Sequence, residues 1–240
     1  MDAFKLPMQF DVAKLLADLE HVELQANWLS HTDYTVVGQL GDWTAIPLIA
    51  PPAADVSKAE SLRYRGRIGA ATEILKQCPY LQSVIASFQT EVHRVRLMNL
   101  RPGKVIARHR DYGTQRYSLN RGYIRVHIPL RTHPDVKFFI NDNALPLQAG
   151  EAWYTNVCEL HNVRNDSDVQ RVHMVLDMKV NDWLLGMFPA QSLLNRVHGA
   201  VLRRYERRFI TARFAARDWY QNARKRAGDM GLRRLKGLLT

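Results

Sequence analysis

The chain has 240 residues and a formal net charge of +11, a length that suits one domain of moderate size with its own core. Its longest nearly uncharged apolar stretch, WTAIPLIAPPAA, is too short to span a bilayer and contains prolines. The N-terminus MDAFKLPMQF lacks the positive region and apolar core of an export signal, so we expect a cytoplasmic protein without a transmembrane segment.

The charge is unevenly distributed along the chain. Residues 184–240 contain 13 Lys or Arg and three acidic residues, whereas residues 1–183 contain 21 basic and 20 acidic residues. We therefore predict a domain over residues 1–183 and a basic extension over residues 184–240. Apolar residues at helical spacing from Leu194 to Phe214 predict that the extension is helical.

The first part of the chain carries both helix and strand signals. Apolar residues at helical spacing predict a helix over residues 11–21, with Asp11 as its N-cap. The segments DYTVVG and DWTAIPLIA then predict two strands, separated by a turn at residues 41–42.

The pattern changes from helix to strand near residue 90. Residues 69–88 predict a helix that is split or kinked at Cys78-Pro79. After Thr90, short segments rich in β-branched and aromatic residues are separated by Pro-Gly, Gly-Thr, Asn-Asp-Asn and Ala-Gly. These segments are EVHRVRLMNL, KVIARHRD, GYIRVHIPL, VKFFIN, EAWYTN and RVHMVLDMKV. Such spacing predicts a mainly β fold with flanking helices, either a barrel or a double-sheet jelly roll.

His109 and Asp111 are candidate metal ligands, because side chains two apart in a strand share one face. The bare spacing is not specific: it recurs at residues 21–23, 31–33 and 133–135, and composition alone predicts about one such pair. His161 is the candidate third ligand, since two histidines and one carboxylate are the usual ligand set of non-haem Fe(II) oxygenases. A zinc site on Cys158 and His161 is an alternative, but no second pair of zinc ligands accompanies it.

Two strands carry an Arg-x-His pattern that suits an organic acid. Arg171 and His173 share one face of RVHMVLD, and Arg125 and His127 repeat the arrangement in RVHIPL. A guanidinium binds a carboxylate through two hydrogen bonds. The alternatives are buried core histidines and a structural ion pair at Arg125. We also consider Trp153 as a substrate contact, with packing as its alternative role.

Four blocks of the sequence together resemble a known family. RLMNLRPGKVIARHRDYG, GYIRVHIPL, GEAWYTNVCELHNVRNDS and QRVHMVLD, in this order, are similar to the aspartyl/asparaginyl β-hydroxylase family of Fe(II)/2-oxoglutarate-dependent dioxygenases, which includes bacterial cis-proline hydroxylases. The resemblance covers roughly residues 92–180, and nothing is carried over to the basic extension. It implies a double-stranded β-helix of the jelly-roll or cupin-like kind.

The resemblance also implies roles for individual residues. His109, Asp111 and His161 would be the iron ligands, and Arg171 would bind the distal carboxylate of 2-oxoglutarate. By the same resemblance, Arg125 and His127 line the pocket and contact a carboxylate of co-substrate or substrate. The Arg-x-His pattern, rather than the resemblance, makes His173 a candidate substrate-binding residue.

The activity implied is hydroxylation of an unactivated carbon, with O2 consumed and 2-oxoglutarate decarboxylated to succinate. The carboxylate of Asp111 completes the ligand triad, which favours hydroxylation over halogenation. The expected substrate is an amino acid or amino-acid-like group that is free, peptidyl or carrier-bound.

Two alternatives belong to other classes of protein. One is a cupin-like protein that holds another metal, and the other is a binding module that acts through its basic extension. The arginines of the extension could be a solvated helix face, or they could bind an acidic carrier protein, an anionic membrane surface or nucleic acid.

Overall fold

The structure, a computed structural model, describes residues 1–30, 43–62, 68–111 and 122–189. The strands within these ranges are β1 (Ala3–Gln9), β2 (Leu29–Ser30), β3 (Trp43–Ala50), β4 (Ala70–Ala71), β5 (Val92–Leu100), β6 (Val105–His109), β7 (Tyr123–Arg131), β8 (Val136–Ile140), β9 (Asn143–Leu145), β10 (Glu151–Thr155), β11 (His161–Asn165) and β12 (Arg171–Lys179). The helices are α1 (Val12–Gln25), α2 (Glu73–Lys76), α3 (Pro79–Ala86) and α4 (Asp182–Leu185), with a 3-10 turn at Ala59–Leu62.

The strands form two antiparallel sheets. The major sheet has the order β1-β10-β7-β12-β5-β3-β2, with β4 paired to β3, and the minor sheet has the order β6-β11-β8-β9. This pair of sheets is the double-stranded β-helix that the sequence predicts, and the helices flank the major sheet. None of the helices in the described ranges is long and apolar enough to cross a bilayer.

Two apolar clusters divide the interior of the protein. The larger one lies between the helices and the outer face of the major sheet, and includes Leu15 of α1, Leu81 of α3 and Leu176 of β12. The smaller one lies between the two sheets, where Leu100 of the major sheet meets Phe138 of the minor sheet. The space between the sheets beyond this second cluster holds the polar residues considered below.

Helix α1 begins where its N-cap was predicted but extends further. The Asp11 carboxylate accepts a hydrogen bond from the Lys14 backbone N–H, at 3.2 Å, which satisfies one of the first free donors of the helix. The helix continues to Gln25, four residues beyond the predicted end, because Val22 is also buried against the sheet.

The predicted split of the second helical region is confirmed. Helix α3 begins at Pro79, whose missing N–H costs nothing at the first helical position. The helical region starts at Glu73 rather than at Gly69, because Ala70 and Ala71 pair with β3 and Thr72 caps α2.

The predicted strand segments between residues 91 and 180 all form strands, as does DWTAIPLIA. The Asn-Asp-Asn turn is a tight hairpin: Asn141 and Asp142 both have positive φ, as a two-residue turn of the primed type requires. Gly150 has a φ of +79°, and a Cβ there would lie 2.5 Å from the Phe10 carbonyl oxygen. This position therefore favours glycine.

Several sequence expectations fall outside the described ranges. These are the strand DYTVVG, the turn at residues 41–42, the Gly-Thr turn at residues 113–114 and nearly all of the basic extension beyond Leu184. The division at residue 183 stays a prediction.

Candidate metal centre

His109 and His161 lie directly opposite each other in the minor sheet. They are register partners in the antiparallel pair β6–β11, and their ring centroids are 4.2 Å apart. Asp111 follows the end of β6, where its backbone N–H donates to the Val157 carbonyl at 3.1 Å. His161 is the first residue of β11. The sheet register thus brings together two residues that are 52 positions apart in the sequence.

Backbone hydrogen bonds determine which ring nitrogen faces the site. His109 Nδ1 lies 2.7 Å from the Ala107 carbonyl and His161 Nδ1 lies 2.9 Å from the Glu159 carbonyl. A carbonyl oxygen only accepts, so both Nδ1 atoms carry the proton in the neutral rings, and both Nε2 atoms present a lone pair. These Nε2 atoms face Asp111 Oδ1, at 3.4 Å for His109 and 4.0 Å for His161.

Three electron-pair donors therefore converge on one point. Ligand atoms of His109, Asp111 and His161 all lie within 4.8 Å of one another. Two imidazole lone pairs and a carboxylate oxygen repel each other unless a cation or a proton lies between them. The arrangement fits a divalent metal, and the outward-facing Nδ1–H bonds are the support that metal-binding histidines usually have.

The electrostatics of the three residues differ. Burial lowers the pKa of His109, but the hydrogen bond to Asp111 and the charge of Asp111 outweigh burial, so the net shift is upward from 6.5. Burial lowers the pKa of His161 to about 4, against an opposing effect of Asp111. Burial alone would raise the pKa of Asp111, yet His109, Arg125 and His161 hold it well below the usual range, so this carboxylate is ionised.

Arg171 is a buried cation at the first position of β12. It is only 1% exposed, and no carboxylate of the described ranges lies within ion-pair distance of it. Its Nη2 donates to His173 Nδ1 at 2.7 Å, and burial lowers the pKa of Arg171 to about 9. Its Nε has no hydrogen-bond partner in the described part of the chain. The positive charge of Arg171 is therefore buried without an opposite charge from the described ranges to offset it.

Two buried histidines accompany Arg171. His173 accepts from Arg171 through Nδ1, so its Nε2 carries the proton, and that N–H has no partner within the described ranges. Neither ring nitrogen of His127 has a described partner. Burial, first of all, and the charge of Arg171 hold the pKa of both rings well below 6.5, so both are neutral.

Phe138 of β8 connects the two ends of the site. Its ring stacks on His161 with centroids 6.2 Å apart, meets His127 edge-on at 5.3 Å, and lies 6.0 Å from the Arg171 guanidinium carbon. Phe138 was not among the predicted site residues. The alternation of VKFFI indicates that it faces inward, but nothing in that segment distinguishes a pocket residue from a core residue.

Arg125 is held by two carboxylates. Its Nη1 donates to Asp111 Oδ2 at 2.7 Å, and its Nε donates to Asp177 Oδ1 at 2.7 Å. Asp177 is 1% exposed and also accepts from Arg94 Nε at 2.8 Å. A structural ion pair is one of the predicted roles of Arg125, but the sequence did not identify its acidic partners. Asp177 and Arg94 were not among the predicted site residues. The acid inside the apolar run VHMVLDMK was the available signal, because a buried carboxylate requires a cation.

Trp153 of β10 lies opposite His127 in the β10–β7 pair, so it borders the same region of the sheet. Its indole N–H donates to Glu151 Oε2 at 2.7 Å, and Glu151 also pairs with Lys5. The indole is therefore fixed by its neighbours, and substrate contact at Trp153 stays a prediction.

A family model and a curated relative of this chain both describe hydroxylases. The Aspartyl/Asparaginyl beta-hydroxylase family model matches residues 9–180. L-proline cis-3-hydroxylase 1 of Streptomyces sp is 27% identical over 143 residues, covering 58% of this chain and 47% of that protein. The chain thus spans about half the length of this curated relative.

Solved structures resemble the chain more distantly. An oxidoreductase of the 2OG-Fe(II) oxygenase family from Burkholderia pseudomallei has a TM-score of 0.49 at 14% identity, over 74% of this chain and 85% of that one. A Pseudomonas putida prolyl-4-hydroxylase has a TM-score of 0.42 at 11% identity, over 75% of this chain and 93% of that one. The family model covers well over half of the sequence, and the chain belongs to the Aspartyl/Asparaginyl beta-hydroxylase family.

Proposed function

We propose that the protein is an Fe(II)- and 2-oxoglutarate-dependent dioxygenase that hydroxylates an unactivated carbon of an amino acid or amino-acid-like substrate. The observation that carries the proposal is the convergence of two histidine Nε2 lone pairs and one carboxylate oxygen at a single point. Two histidines and one carboxylate on one side of a metal leave other coordination positions open, as non-haem iron oxygenases require.

His109, Asp111 and His161 would hold the ferrous ion. When bound, the ion and 2-oxoglutarate would supply the activation of O2, with one oxygen atom entering the substrate and the other entering succinate. The chain supplies position and environment: Nδ1–H bonds to Ala107 and Glu159 keep each ring oriented with its lone pair inward. Phe138, from the smaller apolar cluster, stacks on the His161 ring and forms an apolar wall beside the site.

The distal carboxylate of 2-oxoglutarate would bind Arg171. This guanidinium is buried without a carboxylate in the described ranges, so a bound diacid would supply the missing negative charge. The neutral His173 holds Nη2 and so limits rotation of the guanidinium. The His127 ring contacts the rings of Phe138 and His173, and it would contact the bound co-substrate.

The substrate would bind near the metal, beside the co-substrate. Candidates for contact are Arg125, which lies beside Asp111, and Trp153, which pairs with His127 across β10 and β7. The name of the curated relative, L-proline cis-3-hydroxylase 1, supports a free amino acid as the first substrate class to test. A peptidyl or carrier-bound amino acid is the next.

The decisive experiment measures succinate formed from 2-oxoglutarate with Fe(II) and O2 across the free amino acids, with product mass read for a gain of one oxygen. We expect at least one amino acid to give succinate and hydroxylated product in equal amounts. Asp111→Ala should abolish succinate formation and hydroxylation. Arg108→Ala is the matched control, because Arg108 is an exposed residue of β6, and this variant should retain both activities.

A second readout does not require the true substrate. Anaerobic addition of Fe(II) and 2-oxoglutarate should give a weak visible charge-transfer band in the wild type and none in Asp111→Ala. Absence of that band in metal-loaded wild-type protein would contradict the proposed function.

The family match does not favour the alternatives of a cupin-like protein of other activity or a binding module. An acidic carrier or another anionic partner for the basic extension stays a prediction, because it concerns residues outside the described ranges. Salt-sensitive nucleic-acid binding without the charge-transfer band would support the binding module instead.

A further inference from the structure

A row of charged side chains crosses three central strands of the major sheet. The register places Arg125 of β7 opposite Asp177 of β12, and Asp177 opposite Arg94 of β5. All three side chains are at least nine-tenths buried and lie on the inner face of the sheet. Cross-strand neighbours on one face lie within contact distance, so the row is a direct consequence of the strand pairing.

Arg125 joins this row to the candidate metal centre. Through Nε and Nη2 it contacts both oxygens of Asp177, at 2.7 and 3.3 Å, and through Nη1 it donates to Asp111 Oδ2 at 2.7 Å. The guanidinium is planar, so contact with Asp177 on two nitrogens also fixes the direction of Nη1.

The two oxygens of Asp111 therefore have separate roles. Oδ2 accepts from Arg125, whereas Oδ1 faces His109 Nε2 and His161 Nε2. A carboxylate that follows the end of a strand could otherwise rotate and offer both oxygens to a metal. The hydrogen bond from Arg125 to Oδ2 instead turns Oδ1 toward the two Nε2 atoms, so that Oδ1 is the oxygen on the side of the other two ligand atoms.

Asp177 keeps Arg125 in place. Burial alone would raise the pKa of Asp177, but Arg125, Arg94 and Arg96 hold it well below the usual range, so it is ionised. Arg94 is itself held by the Leu62 carbonyl at 2.7 Å. The chain of contacts from Leu62 through Arg94, Asp177 and Arg125 ends at Asp111.

We propose that Arg125, anchored by Asp177, is a positioning residue that orients Asp111 to bind the metal through a single oxygen. The proposal rests on the metal site of the proposed function, but not on its co-substrate or its reaction. It also gives Arg125 a role besides contact with substrate. The second layer of contacts around a metal typically changes metal affinity by about 10- to 100-fold.

The test measures the dissociation constant and the visible spectrum of Co(II) bound to the full chain, without 2-oxoglutarate or substrate. We expect Arg125→Gln and Asp177→Asn each to weaken Co(II) binding by about 10- to 100-fold and to change the ligand-field spectrum. Arg131→Gln is the matched control: it removes an arginine of the same strand whose partner is Glu23, and its Co(II) affinity should equal that of the wild type.

Arg125→Lys is a second, more conservative variant, for use if Arg125→Gln or Asp177→Asn does not fold. It keeps a positive charge beside Asp177, but one ammonium does not hold two carboxylates in the fork geometry. We expect Arg125→Lys to weaken Co(II) binding by about tenfold or more. A purely structural role for the row would lower the melting temperature without changing the Co(II) dissociation constant of the folded protein, and that result would overturn the proposal.

A double variant tests whether Asp177 acts through Arg125. If it does, Asp177→Asn should weaken Co(II) binding much less in an Arg125→Gln background than in the wild type. Additive effects would refute the anchoring role. Unchanged Co(II) affinity in Asp111→Ala would instead contradict the proposed metal site itself, so the two failures are distinguishable.

Discussion

The two faces of the major sheet differ in chemistry although they belong to the same strands. Along β12, Val172, Met174, Leu176 and Met178 pack outward against the helix side, whereas Arg171, His173 and Asp177 point inward. The outer face stabilises the fold by removing apolar surface from water. The inner face buries charges that cost folding energy, and Arg94, Arg125 and Asp177 offset part of that cost by pairing with one another.

Adjacent residues of β12 therefore face different surroundings. Because side chains alternate, a change at one position should affect stability with little effect on ligand binding, and a change at the next should do the reverse. Variants on the two faces of β12 should therefore differ in stability and in ligand affinity.

The largest effect is expected for Arg171→Leu on the inner face. Loss of the only buried cation proposed for the distal carboxylate should weaken 2-oxoglutarate binding by about 2–5 kcal/mol, at least about thirtyfold. The metal-free variant should be at least as stable as the wild type, because a buried charge without a described carboxylate partner is removed. Calorimetric titration of the Co(II) form with 2-oxoglutarate, together with denaturant unfolding, checks both. Equal 2-oxoglutarate affinity in variant and wild type would remove Arg171 from the site.

The opposite result is expected for Leu176→Ala on the outer face. Leu176 is fully buried in the larger core cluster, so its truncation should cost about 2–5 kcal/mol of unfolding free energy. For a chain of this size the melting temperature should fall by about 4–20 °C. The affinity of the folded protein for 2-oxoglutarate should not change. A large loss of affinity at a temperature where the variant is folded would show that the two faces are not separable.

A moderate effect is expected from pH on metal binding. The pKa of metal-free His109 is raised above 6.5, so below that pKa a proton competes with the metal for His109. Asp111 stays ionised, and His161, with a pKa of about 4, stays neutral over the same range. The apparent Co(II) affinity should therefore be constant above the pKa of His109 and fall about tenfold per pH unit below it. Titrations between pH 5 and 8.5 measure this, and an unchanged affinity down to pH 5 would contradict it.

The smallest effect is expected on the outer surface of the minor sheet. Arg108 and Asp142 form an exposed ion pair at 2.8 Å, with 52% and 71% of their side chains accessible. Arg108→Ala should change the unfolding free energy by less than about 1 kcal/mol, because solvent screens such pairs. Denaturant unfolding in low and high salt checks this, and a larger change would point to a role for that surface that the fold does not explain.

The strands were predictable where their composition was strongly apolar. β12 and β7 combine long runs of buried residues with clear punctuation, and both were found from the sequence. β11 was missed because HNVRN is mostly polar, and its identity as a strand depends on pairing with β6 and β8. β1 was missed because Pro7 interrupts AFKLPMQ, which is tolerated at the sheet edge where β1 pairs only with β10.

The residues of the site were also only partly predictable, because contacts between strands are not visible in the sequence of one strand. His109, Asp111 and His161 could be selected from residue type, spacing and resemblance, and the structure brings these three residues together. Their neighbours Phe138 and Arg94 could not be selected, since an inward residue of a strand looks the same in a sequence whether it faces a ligand or a core. Asp177 was missed although an acid within an apolar strand is a sequence signal. Arg125 is the clearest example of a residue whose contacts the sequence does not show. Its described carboxylate partners, Asp111 and Asp177, both lie outside its own strand.

By itself, the sequence determined the strand segments, the faces on which Arg171, His173 and Asp177 lie, and the residue types available to hold a metal and a diacid. Alternation along a strand is a local property, so these features follow from neighbouring residues alone. Only the tertiary structure decided that His109 pairs with His161, that Arg125 joins Asp111 to Asp177, and that Arg171 lies buried without a described carboxylate partner. Those facts depend on which strands are neighbours, and the pairing of distant strands is not a property of any single segment.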